Sequence, residues 1–204
     1  MGLFVKICGL ARCEDVQAVA HMQPDALGFI FWPGSPRYVE PEQVAEWTKT
    51  LPAGLLKVGV FVDDSPEEVS RVVKVARLDV AQLHGLEEPG VAAALPCRVW
   101  KVVHLDRVAV DSLAAYSVDA FLADSYSATS PGGTGQVADW SLVRDFVDQQ
   151  TTPVILAGGL HPENVREAIE TVRPWGVDVS SGVEAEPGRK DLEKVREFIK
   201  QCRS

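Results

Sequence analysis

Short apolar runs alternate with amphipathic runs along the whole chain, and the alternation predicts a repeated strand–helix unit. Residues 3–7 are apolar and β-branched, end at Cys8-Gly9, and give way to a helix over 11–20 with Glu14 and Asp15 in its first turn. The unit recurs with a strand over 26–31, a Pro/Gly loop over 32–39 and a helix over 41–51. Residues 55–62 form the third predicted strand, and Ser65, Pro66 and Glu68 supply an N-cap, an N1 proline and a capping-box acid for a helix through Ala76. The fourth strand, 80–83, ends at His84-Gly85 before a helix over 89–95; the fifth, 98–103, precedes a helix over 108–116. The sixth, 120–123, ends at Asp124 and leads through a polar, Gly-rich loop over 125–138 to a helix over 139–149. Residues 154–156 and 177–179 are the last two strands. Val165, Ala168, Ile169 and Val172 follow the first of these at i, i+3, i+4, i+7 spacing, and Leu192, Val195, Phe198, Ile199 and Cys202 make a closing apolar stripe.

Eight such units fit the right-handed βα rule and a closed parallel barrel better than an open sheet, so the expected fold is a single-domain (β/α)8 TIM barrel of the α/β class. The last two strands carry its most informative ends. One runs into Gly158-Gly159 and the other into Ser180-Ser181-Gly182, each followed by a segment able to begin a helix, so that backbone N–H groups from both can face one anion. Gly158-Gly159 alone also fits a tight turn. A second small-residue loop one strand later favours a phosphate cradle, since such barrels often bind phosphate after strands seven and eight.

Composition narrows the ligand and partner classes. With 204 residues and 46% hydrophobic content the chain can bury one full core. No secretory leader pattern and no apolar run of bilayer length is present, so a soluble, cytoplasmic protein with no membrane partner is expected. Cys8, Cys13, Cys97 and Cys202 lack a C-x-x-C pair and read as free thiols, with neither a disulfide framework nor a zinc site. A formal net charge of −9 without a Lys/Arg block argues against nucleic-acid binding. An anionic ligand must then be held by local dipoles and a few chosen cations. Monomer and homodimer are both open.

In a barrel of this kind reactive groups sit at the C-terminal ends of strands, which selects Cys8, Arg37, His84, Asp124, Asp178 and Ser180-Ser181. Period-two geometry adds a residue: if Cys8 faces the mouth, Lys6 faces inward one layer deeper. A buried lysine needs a partner, and Asp178, whose strand adjoins the first when the barrel closes, is the candidate for an internal ion pair. The five tryptophans, Trp32, Trp47, Trp100, Trp140 and Trp175, read as packing residues, Trp32 least clearly.

Several motifs together resemble the phosphoribosylanthranilate isomerases of tryptophan biosynthesis. They are Lys6-Ile7-Cys8-Gly9-Leu10, Gly28-Phe29-Ile30-Phe31, Ser35-Pro36-Arg37-Tyr38, Val58-Gly59-Val60-Phe61-Val62, Gln82-Leu83-His84-Gly85, Gly132-Gly133-Thr134-Gly135, Gly158-Gly159-Leu160, Pro162-Glu163-Asn164-Val165, and Gly176 through Glu184. Single pieces occur in many phosphate-binding barrels, but the ordered set is specific and spans nearly the whole chain. The resemblance implies an Amadori rearrangement of a small phosphorylated substrate with no cofactor or metal. It also implies Cys8 as general base, Asp124 as general acid, Arg37 on the anthranilate carboxylate, His84 and Asp178 near the substrate, and phosphate held by Gly133, Thr134, Gly135, Gly158, Gly159, Ser180, Ser181 and Gly182.

Each role has a physical requirement and a plainer alternative. A strand-end cysteine is commonly a small buried hydrophobe; as a base it needs a cation that favours thiolate, and Lys6 is one. Asp124 must begin protonated to act as an acid, whereas a strand-end aspartate commonly holds loop amides. The Gly132–Gly135 segment can close over the sugar phosphate and exclude water, or be a solvated loop. Arg37 suits two-point carboxylate recognition, and His84 shares a strand face with Gln82 as either a substrate contact or a structural histidine. Ala11 and His161 depart from the threonine or serine and the asparagine common in the family, changing local capping but not the proposed acid or base. A metal-dependent epimerase would want inward histidines and carboxylates, and a dual-substrate sugar isomerase a second cradle, which the acidic Leu83–Glu88 stretch does not offer. A non-catalytic phosphate-binding barrel would retain the cradle without needing both Cys8 and Asp124.

Overall fold

The computed structural model describes residues 2–105, 110–124 and 140–204, and within them eight parallel strands pair in chain order and close on themselves. They are β1 (Phe4–Ile7), β2 (Ala26–Ile30), β3 (Leu56–Phe61), β4 (Val80–Leu83), β5 (Arg98–Val103), β6 (Ala120–Asp124), β7 (Val154–Ala157) and β8 (Gly176–Val179). Closure comes from β1 against β8, with Lys6 opposite Asp178 and Ile7 opposite Val179. Helices α1 (Cys13–His21), α2 (Pro41–Trp47), α3 (Pro66–Ala76), α4 (Pro89–Ala94), α5 (Trp140–Gln149), α6 (Val165–Val172) and α7 (Leu192–Arg203) surround the sheet. The expected (β/α)8 barrel is the observed architecture.

Alternation along the strands builds two apolar layers. Outward residues such as Val5, Ile7, Leu27, Phe29 and Phe61 pack with Val16, Val19, Val69, Val72, Val195 and Phe198 of the helices. Inward residues Val58, Val80, Trp100, Val102, Leu122 and Ile155, with Phe4 and Leu56, form an apolar plug in the lower barrel. Phe4 meets Trp100 edge-on at 5.8 Å and stacks on Trp175 at 4.5 Å. Full burial of each such side chain contributes roughly 1.5–3 kcal/mol. Above the plug the inward positions turn polar: Lys6, Gln82 and Asp178 are all buried.

Three local expectations change. Ser65 Oγ accepts from Glu68 N at 3.2 Å, but the Glu68 carboxylate pairs with Arg71, so only half of the capping box forms. Between β5 and β6 a 3-10 helix, Val110–Ala115, replaces the helix expected over 108–116, of which residues 108 and 109 lie outside the described set. Leu113 is buried and anchors it to the core. After β8 the chain makes a short 3-10 turn (Ser181–Val183) and an antiparallel hairpin, β9 (Glu184–Glu186) and β10 (Arg189–Lys190), before α7. Lys190 N donates to Asp15 Oδ2 at 3.0 Å, tying that hairpin to α1.

Candidate active site

The strand register delivers the inward pair directly. Lys6 is fully buried and its Nζ lies 2.9 Å from Asp178 Oδ2, so the internal ion pair expected from period two is present. Cys8 continues the β1 line through Cys8 N to Val179 O at 2.8 Å, and its side chain is buried in the same column. Gly28 on β2 makes the space: a Cβ there would stand 2.7 Å from Cys8 Sγ and 3.0 Å from Lys6 Cε. Burial pushes the Cys8 thiol above its ordinary value, and the Lys6 ammonium opposes that push by charge and by hydrogen bonding. Burial alone would lower Lys6, yet the charges of Asp178 and Cys8 carry it above its ordinary value, so Lys6 stays an ammonium.

Arg37 enters from the β2–α2 loop across Gly9, whose φ of +71° and missing side chain are both required. A Cβ at Gly9 would meet Ser180 Oγ at 2.6 Å and Arg37 Cδ at 2.7 Å. The guanidinium does not stand alone: Nε and Nη2 donate to Glu184 Oε1 and Oε2 at 2.8 and 2.6 Å. Glu184 Oε1 also accepts from Lys190 Nζ at 3.0 Å, and Lys190 Nζ donates to the Ser180 carbonyl at 3.0 Å. Burial alone would raise Glu184, but Arg37 and Lys190 hold its carboxyl below the usual range. Burial pushes Lys190 below its ordinary value; Glu184 opposes that push and the Arg37 charge adds to it.

The cradle loops interlock. Gly158 and Gly159 have φ of +87° and +65°, conformations that favour glycine, at the end of β7. A Cβ on Gly182 would fall 1.9 Å from the Leu160 carbonyl oxygen, so the β8 loop rests directly on the β7 loop. Asn164 braces the latter, accepting from His161 N at 2.8 Å and donating to Gly159 O at 3.0 Å. The 3-10 turn beginning at Ser181 follows β8 at once, whereas α6 starts at Val165, where the apolar stripe placed it, some residues beyond Gly158-Gly159.

His84 and Asp124 close the circle at the ends of β4 and β6. Burial lowers the His84 imidazole below its ordinary value, with the nearby Asp124 charge opposing and His104, 6.1 Å away ring to ring, adding to the lowering. The loop bearing His84 is held from outside the barrel. Lys101 Nζ binds Glu87 Oε2 at 2.9 Å and the Gly85 carbonyl at 2.7 Å, while Glu87 Oε1 accepts from Asp63 N and Gly85 N. Gly133, Thr134 and Gly135 lie outside the described residues. Asp178 Oδ1 is buried and has no hydrogen-bond partner among the described residues. Among them no group of three His, Cys, Asp or Glu side chains is gathered for a metal. A groove of about 570 Å³ between α1 and α7, lined by Ala18, His21 and Ile199 among others, contains none of these strand-end groups.

The column Lys6, Cys8, Asp178 and the crossing of Arg37 over Gly9 toward Ser180 bring together residues that the sequence placed at strand ends and, for Lys6, one layer deeper. Strand-end reasoning missed Gly28, which makes room for Cys8, Asn164, which braces the β7 loop, and Glu184 with Lys190, which hold Arg37 and the Ser180 carbonyl. Glu184 and Lys190 follow a run of small residues, and a charged residue there that must be buried is the signal available for them.

The chain is similar to known isomerases along its full length. The family model for N-(5'phosphoribosyl)anthranilate (PRA) isomerase matches residues 5–201. A Geobacter sulfurreducens protein named N-(5'-phosphoribosyl)anthranilate isomerase is 45% identical over 200 residues, covering 98% of each chain. The solved phosphoribosyl anthranilate isomerase from Thermotoga maritima matches with a TM-score of 0.89 and 39% identity over 98% of each chain. Another solved phosphoribosyl anthranilate isomerase, in complex with reduced 1-(o-carboxyphenylamino)-1-deoxyribulose 5-phosphate, matches with a TM-score of 0.85 and 37% identity over 98% of each chain.

Proposed function

The chain belongs to the N-(5'-phosphoribosyl)anthranilate isomerase family, and from that premise we propose how its own residues carry the reaction. The protein converts N-(5'-phosphoribosyl)anthranilate, an aminoaldose, into 1-(2-carboxyphenylamino)-1-deoxyribulose 5-phosphate, an aminoketose, in tryptophan biosynthesis. The rearrangement is an internal redox change, hydroxyl to carbonyl at C2′ and imine to amine at C1′, and it needs an acid and a base rather than an external oxidant.

Asp124 acts as the acid. It gives a proton to the furanose ring oxygen, the C1′–O bond breaks, and the anilino nitrogen lone pair forms the C1′=N bond of a Schiff base. Cys8 acts as the base. Its thiolate takes the C2′ proton, the C–H electrons form C1′=C2′ while the C1′=N π pair returns to the anilino nitrogen, and the resulting enolamine tautomerises, losing the C2′ hydroxyl proton and gaining one at C1′. Lys6, held by Asp178, supplies the positive charge that favours the thiolate. His84, neutral through burial, faces the acid side as a hydrogen-bonding group. Asp178 Oδ1 is available to a substrate hydroxyl, Arg37 receives the ring carboxylate through donors not engaged by Glu184, and the Gly158-Gly159 and Ser180-Ser181-Gly182 loops take the phosphate. Gly133, Thr134 and Gly135 are assigned to the same phosphate from the family pattern.

The observation that carries this reading is the Cys8–Lys6–Asp178 column beside the interlocked cradle. Cys8→Ala and Asp124→Asn test it: each is expected to lower kcat by about 100-fold or more, with the reduced product analogue still bound. Near-normal turnover in either variant removes that residue from its role.

A further inference from the structure

Arg37 and the Ser180-Ser181 peptide are assigned to different anionic groups of the proposed substrate, and one buried carboxylate joins them. Glu184 binds two adjacent nitrogens of Arg37 at 2.8 and 2.6 Å and, through Oε1, Lys190 Nζ at 3.0 Å. The Lys190 side chain is 0% exposed, and its ammonium also donates to the Ser180 carbonyl at 3.0 Å. Glu184 is itself clamped: Gly188 N donates to Oε1 at 3.4 Å, and Lys194 Nζ donates to its backbone carbonyl at 3.0 Å.

Two consequences follow from elementary geometry. A guanidinium has five N–H donors in a planar fork, so fixing Nε and Nη2 on Glu184 sets the plane and leaves Nη1 for another carboxylate. A trans peptide points its C=O and N–H in opposite directions, so drawing the Ser180 carbonyl toward Lys190 turns the Ser181 N–H away from it. That N–H starts the 3-10 turn of the cradle.

We propose that Glu184 and Lys190 are positioning residues that couple the two ends of the substrate site, the first aiming Arg37 at the ring carboxylate and the second aiming the Ser181 amide at the phosphate. Neither touches substrate. The proposal rests on the reading of Arg37 as carboxylate receiver and of the 180–182 loop as phosphate cradle. A shared carboxylate makes the arrangement cooperative, because a ligand that holds either end in place orders the same ion cluster for the other.

The test is calorimetric titration of the full chain with three probes: the reduced aminoketose phosphate, its counterpart lacking the ring carboxylate, and inorganic phosphate. Glu184→Gln is expected to weaken the first at least about 30-fold and inorganic phosphate at least about fivefold, although Glu184 contacts neither. Lys190→Met is expected to weaken inorganic phosphate by a similar factor and to raise KM more than it lowers kcat. Lys190→Arg, which keeps charge and donor, restores most of the loss, a rescue that separates positioning from a general folding defect. Unchanged phosphate binding in Glu184→Gln overturns the coupling. Arg37→Ala is expected to weaken the carboxylate-bearing probe more than its counterpart lacking the ring carboxylate and, through the shared Glu184, to weaken inorganic phosphate as well. Equal weakening of the two reduced probes would instead remove Arg37 as carboxylate receiver, a failure distinct from loss of coupling, and with it the proposal at that end.

Discussion

Lys6 and Asp178 face each other across the seam where β1 meets β8, Nζ 2.9 Å from Oδ2, and both are buried. The pair closes the barrel and forms the floor beneath Cys8. Removing one partner strands a charge in low dielectric, so Lys6→Met is expected to destabilise the fold by about 3–5 kcal/mol. Lys6→Met with Asp178→Leu is expected to recover much of that loss in urea unfolding while turnover stays low. The folded-state value of Lys6 is raised, so its contribution is complete below the unfolded-state value and fades only as pH rises through the folded one.

The same column sets a pH dependence for turnover. In its proposed role Cys8 works as thiolate, and burial raises its value despite Lys6. The kcat/KM of the free enzyme is therefore expected to climb with pH through the ordinary thiol range and beyond, with the Lys6→Met limb displaced further to alkaline pH. A kcat/KM profile that is already flat at about pH 7 would contradict a burial-raised base.

Gly28→Ala tests the space rather than the charge. The added methyl would stand 2.7 Å from Cys8 Sγ and 3.0 Å from both Cys8 Cα and Lys6 Cε. A displacement of the base by a fraction of an ångström to an ångström is expected to lower kcat by about 10–100-fold. Overpacking is expected to cost about 1–3 kcal/mol in thermal or urea unfolding. Combining it with Cys8→Ala, which removes the clashing sulfur, should return part of the stability.

Acid should loosen the molecule at two carboxylates. Burial alone would raise Glu87 and Glu184, but Lys101 holds the first and Arg37 with Lys190 the second below the ordinary range. Depressed values mean that the stabilisation is present above the unfolded-state carboxylate value and is lost as pH falls through the folded one. Urea midpoints are expected to fall as pH drops below about 4.5, and Glu87→Gln is expected to flatten that fall. A midpoint independent of pH across this window would contradict both assignments.

The barrel was legible because each strand is a bounded apolar run and each well-formed helix an apolar stripe. The Val165–Val172 helix and the stripe ending at Cys202 match their predicted spacing. Lys6 with Asp178 was legible too, because period two and closure of strand eight on strand one are geometric consequences of the fold. What escaped depends on contacts distant in sequence. Arg37 reads as a free loop cation until Glu184, 147 positions later, folds against it. Gly28 looks like any small strand residue until Cys8 and Lys6 crowd its α-carbon. The capping-box reading of Glu68 failed for a local reason: Arg71, three residues on, competes for the carboxylate at surface exposure. The assignments to Gly133, Thr134 and Gly135 concern residues outside the described set.

The apolar plug of Phe4, Leu56, Val58, Val80, Trp100 and Ile155 lies directly beneath the polar layer of Lys6, Gln82 and Asp178. The two storeys answer to different physical demands. Substitutions in the lower one trade volume against volume and are read out as melting temperature; substitutions in the upper one trade charge against charge and are read out as turnover as well as stability. Engineers seeking a hardier enzyme should work below the Lys6 ammonium, and those seeking a new reaction above it.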